Sequence, residues 1–253
     1  MELTLNMFLI VCPLLFLAGF IDAVGGGGGL ISLPAYLLAG LPYQVAVGCN
    51  KLSATCGTVL TTARFIKNGF VNFKLAVPTI FAAIGGSYIG ANLMLSMDNS
   101  FMEKLLLVLL PISAIIVMHP KLFRDNPHGQ LQLNARTWIT AITVALVMGF
   151  YDGFYGPGSG TFMIIAFTLF AKMSIPQANA QTKVINLTTN ITSLTILLLE
   201  GSVLLPLGLA GAVCNMAGSF LGTGLAIRNN TKITRSIIVL VLCLLMLKLL
   251  GVF

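Results

Sequence analysis

The 253-residue sequence contains few charged side chains, with only 8% Asp, Glu, Lys and Arg against 57% hydrophobic residues. Soluble domains carry roughly 25% charged residues, so this composition excludes a soluble globular protein. Apolar runs of about the ~20 residues that cross a bilayer as a helix recur near 6–24, 75–96, 102–118, 137–155, 175–199, 204–227 and 234–253. Little sequence remains for a soluble domain. We therefore predict an all-α, multi-pass membrane protein.

The sequence also lacks several familiar signals. Its first residues, MELTLNMFLIV, contain no basic cluster, so we expect the first apolar run to be a retained span. The five cysteines lie in apolar segments without metal-ligand spacing, which predicts packing residues and no metal or cofactor. The glycine-rich stretches GGGGGL and GPGSGT do not continue into the G-K-[ST] of a phosphate loop. The net charge of +7 comes mostly from short polar breaks, which indicates cytoplasmic loops and no nucleic-acid partner.

The two halves of the chain are similar to each other. From residue 46 onward, a shift of 132 positions places Lys183 on Lys51 and GSFLG on GSYIG. Upstream, GFYD meets GFID at a shift of 130, and the glycine run absorbs the difference. We divide the chain into a first transmembrane repeat (1–118), a cytoplasmic linker (119–136) and a second transmembrane repeat (137–253). Such duplication is typical of secondary transporters, whose substrate sites lie between the repeats.

Basic residues flank different loops in the two repeats. The first loop of repeat one is flanked by Arg64, Lys67 and Lys74, whereas the equivalent loop at Glu200 has no basic residue. In the second loop of each repeat the pattern is reversed, and the basic residues are concentrated in the loop of repeat two. Because basic loops stay in the cytoplasm, equivalent loops should lie on opposite sides of the membrane. We therefore expect inverted repeats of about five helical segments each.

Each repeat contains a short apolar piece, 29–39 or 160–171, directly after a glycine run. At ~1.5 Å per residue, such a piece spans roughly half of the ~30 Å hydrocarbon core. We predict that a helix breaks at each glycine-rich turn and resumes as a short helix, whose unpaired N–H groups can seat an anion. Tight helix packing is the alternative role for these glycines.

Four ionisable residues lie away from loops and helix ends, in segments that we expect to be embedded in the membrane: Asp22, Lys51, Asp152 and Lys183. A charge there costs several kcal/mol, so such residues normally face a cavity or a partner. Structural salt bridges are one interpretation. A substrate site is the other, because amides and hydroxyls surround both lysines in VGCNKLSATCGT and NAQTKVINLTTNITS.

The candidate substrate-binding residues lie in these polar stretches or at the glycine-rich turns. They are Gly28, Gly29, Asn50, Lys51, Gly158, Ser159, Gly160, Thr161, Gln181, Thr182, Lys183, Asn186 and Asn190. Asp22 and Asp152 are candidate coupling residues, since a carboxylate that changes protonation in each cycle can couple transport to a proton gradient.

These stretches resemble the two signatures of the TauE/SafE sulfite exporter family, also called TSUP. GFIDAVGGGGGLISLPAYLLAGLPYQVAVGCNK is similar to the first-repeat signature, although Cys49 stands where threonine is common. GFYDGFYGPGSGTF followed by ANAQTKVINLTTNITSL is similar to the second. The resemblance implies a transporter of sulfur-containing anions such as sulfite, thiosulfate or the organosulfonate sulfoacetate. We expect the protein to lie in the cell inner membrane, in contact with the lipid bilayer. The sequence leaves open whether it forms a homodimer.

Two other functions remain open. An anion channel would use the same donors. An intramembrane aspartyl protease would use Asp22 and Asp152 as a proton-sharing dyad, but such enzymes need a Gly-x-Gly-Asp motif and Asp22 follows GFI. We therefore predict a secondary transporter, not an enzyme, that works by alternating access with proton coupling as an option.

Overall fold

The computed structural model describes residues 3–118, 131 and 133–227, and every regular element in them is an α-helix. The helices are α1 (Leu5–Gly25), α2 (Gly29–Leu38), α3 (Tyr43–Lys67), α4 (Phe73–Leu95), α5 (Asn99–Met118), α6 (Ala135–Phe154), α7 (Ser159–Phe170), α8 (Ile175–Leu199) and α9 (Leu205–Ile227). The all-α prediction is confirmed for this part of the chain. Most of the expected linker and the apolar run at 234–253 lie outside the described residues.

α1, α4, α6 and α9 are long and apolar enough to cross a membrane. Large apolar side chains such as Phe81, Ile139 and Val213 are exposed on their outer faces. A surface of this kind is unfavourable in water and suits contact with lipid. These four helices coincide with predicted apolar runs, and α5 and α8 also form where runs were expected.

No apolar run in the sequence marks α3, although it is 25 residues long. Its segment contains many hydroxyl and amide side chains, which lower its hydropathy. Those side chains are not on an outer surface: Asn50, Ser53, Thr58 and Thr61 are buried against other helices. α3 is therefore an interior helix whose buried face is polar.

The repeat is visible in the helix bounds and in the packing. α3 and α4 correspond to α8 and α9 at the same shift of 132 residues that aligns the sequences. Each first helix packs along the fourth helix of the other repeat, α1 along α9 and α6 along α4. α3 and α8 pack against each other between these pairs. The repeats are thus intertwined, while their opposite orientation in the membrane stays a prediction.

The helical structure is broken between α1 and α2 and between α6 and α7, as predicted. Gly26 has a φ of 70° and Gly156 a φ of 92°, a conformation that favours glycine. The breaks approach each other closely, because a methyl group on Gly26 would lie 2.5 Å from the backbone carbonyl carbon of Gly160. Glycine at these positions lets the two broken helices meet in the interior.

Candidate functional site

A cavity lies where the two helix breaks meet, between the repeats. Its walls are the backbone at both breaks and polar side chains of α3 and α8. The sequence-predicted residues that line it are Asp22, Gly28, Gly29, Asn50, Lys51, Asp152, Gly158, Ser159, Gly160, Asn186 and Asn190. Most of the candidate residues therefore converge on one place, although they come from both halves of the chain.

Four other candidates, Thr161, Gln181, Thr182 and Lys183, are absent from the cavity wall. The Thr161 hydroxyl donates to the backbone carbonyl of Gly25 at 3.1 Å. The Gln181 side chain donates to the carbonyl of Asn72 at 3.2 Å. The Thr182 hydroxyl is buried, and it has no hydrogen-bond partner among the described residues. Thr161 and Gln181 thus tie the broken helix α1 and the start of α4 to the second repeat.

The four buried charges form two ion pairs, and each pair joins the repeats. Lys51 Nζ lies 2.8 Å from Asp152 Oδ2, and Lys183 Nζ lies 2.6 Å from Asp22 Oδ2. Lys183 is not on the cavity wall, but its partner Asp22 is. The sequence pattern identified these four residues, and the structure adds that each lysine pairs with the aspartate of the other repeat.

Each lysine also donates to the backbone carbonyl of its aspartate. The distances are 2.9 Å from Lys51 to Asp152 O and 2.5 Å from Lys183 to Asp22 O. These carbonyls lie in the last turns of α6 and α1, where the helix dipole favours a positive charge. The lysines therefore stabilise the ends of the broken helices as well as the carboxylates.

The formal charge of the site is zero, because two ammonium groups balance two carboxylates. Burying unpaired charges would be costly, and each pair avoids this cost by direct contact. Because each aspartate has its own lysine, Asp22 and Asp152 do not form the proton-sharing dyad of an aspartyl protease. Within the described ranges, no group of three or more His, Cys, Asp or Glu side chains could hold a metal ion.

Three asparagines on the cavity wall use their amide oxygens inside the protein. Asn190 Oδ1 accepts from Lys51 at 3.2 Å, and an ammonium group can only donate, which sets the orientation of this amide. Asn50 Oδ1 accepts from Ser32 at 2.5 Å. Asn215 Oδ1 accepts at 3.3 Å from Ser219 Oγ, one turn further along α9. The NH₂ groups of the three amides have no acceptor among the residues that the structure describes, so the cavity presents hydrogen-bond donors.

The cavity wall also contains Gly27 and Gly156, which belong to the predicted glycine-rich turns, and three residues that the sequence did not single out: Ser32, Ala54 and Asn215. Asn215 is buried in α9, in the otherwise apolar stretch LPLGLAGAVCNMAGSFLG. A lone amide in a membrane span is itself a signal of function or pairing. Asn215 lies outside the two polar stretches from which the site was predicted, and its repeat equivalent is an alanine, Ala83.

The model of the family described as "Sulfite exporter TauE/SafE" matches residues 11–249. The chain belongs to this family. It is 34% identical to a "Probable membrane transporter protein" of Haemophilus influenzae, over 89% of this chain and 86% of that one. It is 31% identical to the "Probable membrane transporter protein YfcA" of Escherichia coli K12, over 98% of this chain and 94% of the relative. No solved structure matches the chain.

Family membership and the names of these relatives identify a TauE/SafE membrane transporter rather than an enzyme. The four candidate spans agree with a multi-pass membrane protein. Duplicated transporters bind their substrates between the repeats, at discontinuous helices. In this TauE/SafE transporter, the cavity at the two helix breaks has that position.

Proposed function

We propose that this transporter carries sulfur-containing anions, such as sulfite, thiosulfate or the organosulfonate sulfoacetate, across the inner membrane. The anion would bind in the cavity at the helix breaks. The observation that carries this proposal is the set of amide NH₂ groups of Asn50, Asn190 and Asn215, residues that line the cavity and whose NH₂ groups have no acceptor in the described part of the chain.

A sulfite or sulfonate group presents several oxygen atoms that only accept hydrogen bonds. Such a group needs donors from several directions, and the three amides lie on three different helices, α3, α8 and α9. The oxygens of these three amides are already engaged and are not free to bind a cation, although the oxygen of the fourth wall amide, Asn186, has no partner among the described residues. The donor-rich wall therefore supports an anion as the substrate.

The helix starts at the two breaks add partial positive charge. Gly29 is the first residue of α2 and Ser159 the first of α7, and both line the cavity. The first N–H groups of a helix attract anions where they lack partners; the Ser159 N–H already donates to Gly156 O at 3.2 Å, so the start of α7 contributes through its dipole. Because Lys51 and Lys183 are already neutralised by aspartates, these neutral donors and helix dipoles would supply most of the attraction in this conformation.

Alternating access would follow from the two intertwined repeats. Both ion pairs cross from one repeat to the other, so a relative movement of the repeats must rearrange them. A carboxylate that takes up a proton when its pair rearranges would couple anion movement to a proton gradient. We propose proton coupling through the Asp22 and Asp152 pairs on this basis.

The test is a binding screen followed by counterflow. Purified protein is screened by thermal shift against sulfite, thiosulfate, sulfoacetate, isethionate, taurine and simple carboxylates. A labelled form of the best ligand is then measured for counterflow in proteoliposomes, which a carrier supports and a channel does not. Stabilisation by carboxylates but by none of the sulfur anions would overturn the proposed substrate class.

Asn215→Ala tests the donor role directly. Losing one hydrogen bond to a charged ligand costs about 1.5–3 kcal/mol, which corresponds to roughly 10- to 100-fold weaker anion binding. The matched control is Asn92→Ala, because Asn92 is exposed and its amide donates to the carbonyl of Tyr88 in its own helix. Equal anion affinity in both variants would contradict the proposed site.

A further inference from the structure

The two repeat-related ion pairs are built unequally. The Asp152 carboxylate accepts three short hydrogen bonds: from Lys51 Nζ at 2.8 Å, from Ser159 Oγ at 2.7 Å and from Thr189 Oγ1 at 2.6 Å. Only 7% of its side chain is exposed. Three donors from three different helices therefore contact this buried carboxylate.

Asp22 has a much poorer set of partners. Its carboxylate accepts from Lys183 Nζ at 2.6 Å and, at 3.4 Å, from the backbone N–H of Gly28. No hydroxyl group donates to it among the described residues. Its side chain is 24% exposed, more than three times the value for Asp152, and it lines the cavity. Asp22 is therefore the more weakly held and the more accessible of the two carboxylates.

The amino-acid sequence accounts for the different number of hydroxyl donors at the two aspartates. At the shift of 132 residues, the repeat equivalent of Thr189 is Gly57. The repeat equivalent of Ser159 is a glycine at either shift, Gly27 at 132 or Gly29 at 130. The Asn215 side chain fills the space beside Gly57, because a methyl group on Gly57 would lie 1.9 Å from Asn215 Oδ1. The first repeat thus lacks the two hydroxyls that hold the carboxylate of the second.

The lysines show the same inequality. Lys51 Nζ donates to two atoms of Asp152 and to Asn190 Oδ1, which uses all three of its N–H bonds. Both acceptors of Lys183 Nζ belong to Asp22. In the described part of the chain, Lys51 therefore has acceptors on two helices, whereas both acceptors of Lys183 are on Asp22.

We propose that Asp22 is the residue that takes up the transported proton, and that Asp152 stays ionised as a fixed clamp on Lys51. The inference rests on the proposed function, because it assigns the coupling role to one of the two aspartates. A proton from the aqueous side would bond to a carboxylate oxygen of Asp22, and it would leave on the other side of the membrane when the anion leaves.

The charges balance in this scheme. The two lysines and two aspartates sum to zero, and a proton on Asp22 raises the sum to +1. One monovalent anion such as hydrogensulfite in the cavity restores neutrality, so one proton accompanies one such anion, whereas a dianion such as thiosulfate leaves one net negative charge. The charged groups around Asp22 are Lys183 from α8 and, on the cavity wall, Lys51 from α3 and Asp152 from α6.

Infrared spectroscopy can distinguish the two carboxylates without any substrate. The chain has only seven Asp and Glu residues, so wild-type minus variant difference spectra of the protein in liposomes can resolve single carboxyl groups. The variants are Asp22→Asn and Asp152→Asn. As the pH is lowered, the C=O band of a protonated carboxyl that disappears in Asp22→Asn should form before the band that disappears in Asp152→Asn. If Asp152 protonates first, or both protonate together, the inference is wrong.

A second variant tests the reason without removing either carboxylate. In Ser159→Ala/Thr189→Val, Asp152 loses both hydroxyl donors, and its protonated band should now form together with that of Asp22. The matched control is Thr188→Val, because the Thr188 hydroxyl donates to Val184 O in its own helix. An unchanged order of protonation in the double variant would contradict the assigned role of the hydroxyls.

Transport separates this inference from the proposed function. In proteoliposomes, Asp22→Asn should lose the acceleration of anion transport by an imposed pH gradient, measured as a ratio to the exchange rate of the same variant without a gradient. If the wild-type protein carries none of the sulfur anions, the proposed function fails, while the infrared order still decides between Asp22 and Asp152. If Asp22→Asn retains full acceleration, Asp22 is not the coupling residue even though the substrate class stands.

Discussion

Replacing Lys51 by Met should destabilise the protein by about 3 kcal/mol, because the change leaves a buried carboxylate without its ammonium partner. The ionic groups are deeply buried, with 3% of the Lys51 side chain and 7% of the Asp152 side chain exposed. Breaking a buried pair from one side typically costs about 3–5 kcal/mol. We expect the lower end of that range, because Ser159 and Thr189 still donate to Asp152.

The double variant Lys51→Met/Asp152→Asn should recover most of this loss. Replacing both partners of a buried pair by neutral groups is often close to neutral, so we expect a free energy of unfolding within about 1 kcal/mol of the wild type. The asparagine oxygen remains an acceptor for one of the two hydroxyl groups. The two losses are therefore non-additive, with a coupling energy of at least about 2 kcal/mol between the two sites.

The assay is reversible unfolding in mixed detergent micelles, followed by circular dichroism, for the wild type, both single variants and the double variant. Lys67→Met is the matched control, since Lys67 is exposed at the end of α3 and should change stability by no more than about 0.5 kcal/mol. If Lys51→Met is as stable as this control, or if the double variant shows the sum of the single losses, the pair does not stabilise the interior as argued. Recovery of transport in the double variant would show that the pair is structural and does not hold the anion.

Gly26→Ala should lower the melting temperature, because Gly26 has a φ of 70° and a methyl group there would lie 2.5 Å from Gly160; we expect a loss of at least about 1 kcal/mol. Gly85→Ala in α4 has open space around it and should be neutral or stabilising by up to about 1 kcal/mol, so equal melting temperatures would contradict the close approach of the breaks. Cysteine labelling of an otherwise cysteine-free protein tests the inverted repeats: positions Asn99 and Glu200 should label from the outside, and Asn126 and Asn230 from the cytoplasm. Labelling of Asn99 and Glu200 from opposite sides would rule out the inverted arrangement.

Much of the fold follows from local sequence. Composition alone indicates membrane helices, and the runs at 6–24 and 75–96 become α1 and α4 with nearly the same bounds. The glycine-rich turns predict the short helices α2 and α7, because such runs cannot continue a helix cheaply. The shift of 132 residues identifies equivalent positions of the two repeats from the amino-acid order alone.

α3 shows where local reasoning fails. Hydropathy assumes that buried faces are apolar, but the buried face of α3 carries Asn50, Lys51 and Ser53. The four buried charges could be recognised because they lie away from loops and helix ends, so the site could be predicted in outline. The orientation of Thr161 and Gln181 away from the cavity could not, because it depends on backbone carbonyls of the other repeat.

The sequence by itself determined which residues had to find partners, since a charge or an amide in a membrane interior is unstable alone. Only the tertiary structure decided which partners they found. Lys51 bonds to Asp152, 101 positions away, and Lys183 to Asp22, 161 positions away, so both pairs cross between the repeats. Sequence spacing reports the face of a helix on which a residue lies, whereas a hydrogen bond depends on where two distant helices cross and on which atoms approach within about 3 Å.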